Sequence, residues 1–403
     1  MSQVQILYLP QIYFQGYYYI VKSYFIIIFS LTITFCSVDS DSSNISDGAI
    51  LSDEEISNDS TSGTTNREDN STTSYLDNRE IKYFIASTVS NEHQEMLKEW
   101  IAISEELYFT QPNVVIENLY PIYLVQLDRN NSESALALEP VYCEYLEDEH
   151  KKLFIQDSYD SSRCGDNEDS REDYERYGLF VEPDGRIAHS QISSSVQRDG
   201  YNLFISKTHD LPEHASSMGY VTLHEMFHIF QNSHITSTTE VDEVYKLLGR
   251  YSGDNPEDDV PWWQEGAATY FSYIDYARTI NDMSWFKNEM ECALLCEFDS
   301  YGNKSRLEIF KETGVKLNNI TYGGNPEPIN KQIGYEIGAW FIAYLVNDHG
   351  EDKILDIYSL YDEFGFEKSF EMQFGKDYRT YLEEFYEFLD LPEDQIIAIL
   401  LSK

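Results

Sequence analysis

Between residues 81 and 207 the apolar positions fall in short runs rich in β-branched and aromatic side chains. IKYFIAST (81–88), YPIYLVQL (120–127), RYGLFVEP (176–183) and GYNLFISK (200–207) read as strands. Between the first two, EHQEMLKEWIAISEEL spaces its apolar residues three and four apart, the period of an amphipathic helix. Beyond residue 215 that helical period dominates. It recurs in WWQEGAATYFSYIDYART (262–279), SWFKNEMECALL (284–295), GYEIGAWFIAYLVNDHG (334–350), KILDIYSLY (353–361) and DYRTYLEEFYEFL (377–389). The expected fold class is α+β: a mixed α/β sheet subdomain over 81–235, then a mainly helical subdomain over 236–403. The polar, acidic stretch 157–175 reads as a surface loop.

The first 80 residues break this pattern. Residues 1–36 are nearly uncharged, and Lys22 precedes an apolar run of about 13 residues, the length of a signal-peptide core. The alternative is a membrane anchor over 17–36 with Lys22 snorkelling to the interface. Residues 37–80 are rich in Ser, Asn and Asp and almost free of aromatics, so they cannot bury enough surface to offset their ordering entropy. They read as a disordered tether.

Charge narrows the function. The chain of 403 residues carries 71 Asp and Glu against 28 Lys and Arg, a net charge of −43. A polyanion would be repelled, which excludes nucleic acid as a partner. No EF-hand-type loop is present, so the acidity does not define a calcium site. After Cys36 four cysteines remain, a number compatible with disulfides in an exported protein. A Cys143–Cys164 pair is expected. Cys292 and Cys296 lie four apart on an expected helix, where a disulfide is geometrically awkward and a pair of core thiols serves equally well.

One stretch carries chemistry. In TLHEMFHIFQN (222–232) two histidines stand four apart, one helical turn, so His224 and His228 can aim at a single metal ion. Glu225 is turned about 100° from His224, beside the metal position and within reach of a water there, where a general base belongs. A catalytic zinc needs a third protein ligand and an open position. Two residues compete for that role. His234 has the spacing of a third histidine, but Gln231 occupies the position where a glycine would turn the chain back, and continued helix carries His234 about 15 Å from His224. Glu265, in PWWQEGAATYF, follows two tryptophans and precedes small residues; this argues for burial, and a buried acid needs a partner. Gly266 and Ala267 would let its helix approach the first.

HEMFHIFQ followed by WWQEGAATYF resembles the gluzincin metallopeptidases, of which collagenase-type and thermolysin-like enzymes are examples. They carry HExxH on one helix and a glutamate ligand on the next. The likeness extends over roughly residues 200–390. It implies a Zn2+ cofactor held by His224, His228 and Glu265 in a cleft between the two subdomains, with Glu225 as base and proton shuttle. It further implies that YNLFISK is the edge strand that grips extended substrate. The oxyanion stabiliser is expected at Tyr335, with Tyr322 and His349 as alternatives. Two departures stand out. The 36 residues between His228 and Glu265 imply an insertion at the cleft rim, and Thr269 stands where thermolysin-like enzymes place an acid that supports the histidines.

The expected function is therefore zinc-dependent peptide hydrolysis, as an endopeptidase and a monomer, acting on peptide or protein and secreted or tethered to the envelope. The alternatives are an inactive relative that uses the cleft as a protein-binding module and an adhesive surface protein. Retention of Glu225 speaks against the first, and clustering of the tryptophans near helices speaks against the second.

Overall fold

The computed structural model describes residues 80–111, 114–149, 164, 179–182, 185–211, 214–250, 260–298, 302–320 and 328–402. The expected signal or anchor (1–36), the tether up to residue 79, the acidic loop 157–175 apart from Cys164, and Tyr322 lie outside the described residues. Among the described residues no helix is long and apolar enough to cross a membrane.

The fold is mixed α/β. Strands β1 (Ile81–Ile85), β2 (Ile122–Leu127), β3 (Gln191–Ile192) and β4 (Asn202–Lys207) form one sheet in the order β1-β2-β4-β3. β1, β2 and β4 run parallel, and β3 is antiparallel to β4. A parallel pair requires a crossover, which α1 (Asn91–Ser104) supplies between β1 and β2. Ser90 caps α1 by accepting the His93 backbone N–H. After β2 comes α2 (Ser132–Glu149), which carries Pro140 inside it and lacks a strong apolar stripe; the sequence reading does not contain it.

β2 is buried along its whole length, as expected of a central strand covered on both faces. Its alternate residues belong to different cores. Ile122 and Leu124, with Phe204, face α1 and α3 (Ala215–Ser233), and this core continues through the helices that follow. Tyr123, Val125 and Leu127 face α2 through Ala135, Leu138, Tyr142 and Leu146.

The helices of seven or more residues that follow are α4 (Val241–Leu247), α5 (Trp262–Thr279), α6 (Met283–Leu295), α7 (Arg306–Thr313), α8 (Pro328–His349), α9 (Tyr361–Phe374) and α10 (Tyr378–Leu389). α5 is buried on nearly all sides and packs against α3, α6 and α8. A Cβ on Gly266 would sit 2.5 Å from the Gly338 backbone, so these two glycines set the crossing of α5 and α8. The close approach that Gly266 permits is thus to α8, where the sequence reading placed it against α3.

Two further expectations change. β4 is an interior strand; the edge beside it is β3, two residues long and too short to leave a periodic signature. Cys143 is bonded to Cys164 as expected, and Cys292 is bonded to Cys296 as well. The second bond is reachable because α6 ends at Leu295. Cys296 turns to an extended conformation, with Cα atoms 4.5 Å apart.

Candidate metal centre

α3 and α5 pack side by side and bring the candidate ligands together. His224 Nε2 and His228 Nε2 lie 3.2 and 3.1 Å from Glu265 Oε2 and 3.1 Å from each other. Two imidazole nitrogens and one carboxylate oxygen converging on a point form the donor set of a three-ligand metal site. The group is largely shielded from solvent: Glu265 and His228 are buried and His224 is half-buried. Among the described residues no other His, Cys, Asp and Glu group meets this condition.

Electrostatics follow from that packing. Burial alone would raise the Glu265 carboxyl, but the charge of His228 and hydrogen bonds from both histidines outweigh it and hold the group well below the ordinary range. For His228, burial works against the protonated form, and the Glu265 carboxylate overcomes it, so the imidazole is shifted up. Such an arrangement holds an anion among donors that also bind a cation.

His228 is oriented from behind. Its Nδ1 lies 2.7 Å from Gln231 Oε1, so Nδ1–H donates there, and in the neutral ring Nε2 is then the nitrogen whose lone pair a metal ion would take up. Gln231 is itself fixed, because its Nε2 donates to the Gln264 carbonyl at 3.0 Å and to the Tyr358 hydroxyl at 2.9 Å. The support that Thr269 cannot give therefore comes from the residue that replaces the turning glycine. Sequence reasoning treated Gln231 only as a missing glycine. Its spacing of three from His228 was the available signal.

Glu225 sits beside the triad, buried, and burial pushes its carboxyl up, with the histidines opposing. The Ile192 backbone N–H donates to it, which ties the catalytic candidate to edge strand β3. Tyr335, on α8, stacks over His224 with ring centroids 5.7 Å apart and planes 18° from parallel. It lines the same cavity as the triad.

That cavity has a volume of about 260 Å3. Its lining comprises residues 189–195 around β3, the metal-site residues Glu225, Glu265 and the two histidines, and Arg198, Tyr245 and Arg250.

The competing candidates lie elsewhere. His234 caps the end of α3, buried among Phe230 and Tyr358, and its Nδ1 is 2.8 Å from the Phe230 carbonyl. Burial pushes its pKa down to about 4. His349 hydrogen-bonds the Tyr381 hydroxyl at 2.9 Å and packs on Phe374, outside the cavity lining. No protein-family model matches the chain, and no curated protein matches it.

Proposed function

We propose that this protein is a zinc metallopeptidase of the gluzincin type that hydrolyses peptide bonds as an endopeptidase, secreted or tethered at the cell envelope. The observation that carries the reading is the convergence of His224, His228 and Glu265 on one point, with Glu225 buried beside them in the cavity lining. In this reading the cavity is the substrate cleft between the sheet-bearing part (81–235) and the helical part (236–403).

The donor set suits zinc: two neutral imidazoles, one of them fixed in the metal-binding tautomer by Gln231, and one carboxylate oxygen. Bound Zn2+ supplies Lewis acidity, polarising a carbonyl and lowering the pKa of water to about 7. The protein groups do the rest. Glu225 takes a proton from the attacking water and passes it to the departing amine; its upward-shifted carboxyl suits a group that must both accept and release a proton. β3, the outer strand beside β4 among the described residues, is the candidate edge for an extended peptide, and the Ile192 N–H ties Glu225 to that strand. Tyr335 is the candidate donor to the developing oxyanion.

The test uses the purified full chain. The parent should hold about one zinc by mass spectrometry and cleave unstructured protein. Glu225→Gln should keep the metal and lose activity by at least about 100-fold. An unchanged rate would sink the mechanism, and a folded parent that takes up no zinc would favour a binding module.

A further inference from the structure

A side-chain amide can meet a neighbour with its oxygen or, turned over, with its nitrogen, and the two ends bond oppositely. Which end of Gln231 meets His228 is decided by its other contacts. Gln231 is fully buried on α3, so both of its amide hydrogens must find acceptors inside the protein. One goes to the Gln264 carbonyl at 3.0 Å and the other to the Tyr358 hydroxyl at 2.9 Å. A main-chain carbonyl only accepts. Turning the amide over would therefore set Oε1 against the Gln264 oxygen and present an N–H to His228. That is the wrong partner for a metal ligand: with Nε2 committed to an ion, the neutral ring carries its proton on Nδ1 and needs an acceptor there. Tyr358 comes from the short 3-10 turn Ile357–Leu360 that leads into α9. It is buried, with its ring edge-on to Phe227 and Phe230 of α3 at 6.0 and 5.5 Å, so packing holds the ring while the hydroxyl meets Gln231.

We infer that Tyr358 is a positioning residue for the metal site: with the Gln264 carbonyl it locks Gln231 so that Oε1 faces His228 Nδ1. Gln264 directly precedes Glu265, so the docking of α5 on α3 delivers the third ligand and the group that orients the second ligand's support in one step. The helical part of the chain thereby reaches the metal through a residue that touches none of the ligands' donor atoms. The inference rests on the metal site of the reading above and not on peptide hydrolysis.

Zinc affinity is measured on the purified full chain by competition with a chelator, for the parent, Tyr358→Phe, Gln231→Leu, the double variant and Tyr361→Phe. Phenylalanine keeps the ring and deletes only the hydroxyl. Tyr358→Phe should weaken zinc binding by about three- to tenfold. It should add nothing further in the Gln231→Leu background, because the hydroxyl acts through the amide. Tyr361→Phe removes an equally buried hydroxyl that is not bonded to Gln231 and should leave the affinity unchanged. In the zinc-loaded chain labelled with 15N-histidine, the His228 Nδ1 proton should exchange with water faster in Tyr358→Phe than in the parent. A role confined to packing would lower unfolding stability and leave that proton alone. Unchanged affinity and exchange in Tyr358→Phe, or an equal loss with and without Gln231, would overturn the inference and leave the metal site standing. A parent that takes up no zinc would remove the site and this role together. A chain that holds zinc, shows the coupling and cleaves no peptide would sustain the inference and overturn the peptidase reading alone.

Discussion

α3 and its C-cap place two buried histidines in very different surroundings. His228 faces the Glu265 carboxylate of α5 and is held from behind by Gln231, whereas His234, six residues on, faces Phe230 and Tyr358 and bonds its own helix's carbonyl. Both rings are buried, yet one is shifted toward protonation and the other down to about 4. Burial alone does not make a ligand; the group across from the ring does. α5 repeats the contrast. Glu265 lies among histidines and stays charged, while Asp275, on the same helix, is pushed up to about 6 by burial despite Arg278 at 3.1 Å.

The sharpest break of this contrast is Glu265→Ala, which should take the zinc content from about one per chain to near zero and end hydrolysis. His234→Ala should keep the metal and instead lower unfolding stability by about 2–3 kcal/mol, through the cavity and lost hydrogen bond it creates. Metal analysis beside denaturant unfolding separates the two; loss of zinc with His234→Ala and not with Glu265→Ala would make His234 the third ligand. A smaller effect is expected of Gln231→Leu. It leaves all three ligands but removes the acceptor behind His228, so competition with a chelator should show metal affinity reduced by about 10- to 100-fold.

The smallest effect concerns Asp275. Its folded pKa lies above the ordinary value of 3.8, so the protonated form is the one the fold prefers. The stability it contributes is complete below about pH 3.8 and is lost as pH rises through about 6. Asp275→Asn should remove that loss, making the variant about 1–3 kcal/mol more stable relative to the parent at pH 7 than at pH 4. Arg278 keeps its two contacts with Glu351, both 2.8 Å, so the substitution does not strand a cation. Parallel unfolding curves for parent and variant across pH 4–7 would refute the assignment.

Much of this molecule is legible from local signals. The parallel strands β1, β2 and β4 are dense in β-branched and aromatic residues, and α5, α6, α8 and α10 keep the helical period, so each lies close to its expected span. The ligand pair His224 and His228 needs only one helical turn to be read, and Glu265 needs only its buried context. What the chain hides is long-range or very short. Gln231 acquires its role from the Gln264 carbonyl and from Tyr358, 127 residues away. β3 has two residues, α2 is masked by Pro140 and a weak apolar stripe, and the Cys292–Cys296 bond depends on where α6 stops.

The crossing of α5 and α8 restricts how this sequence can drift. A methyl group on Gly266 would meet Gly338 backbone at 2.5 Å, and one on Gly338 would meet the Trp262 carbonyl oxygen at 2.5 Å. Neither position can accept a side chain while the other waits, because in both directions the obstacle is main chain, which no rotamer change removes. Paths through single substitutions are therefore closed at both sites. A lineage that retained Glu265 on one helix and Tyr335 on the other would be expected to carry this glycine pair with them.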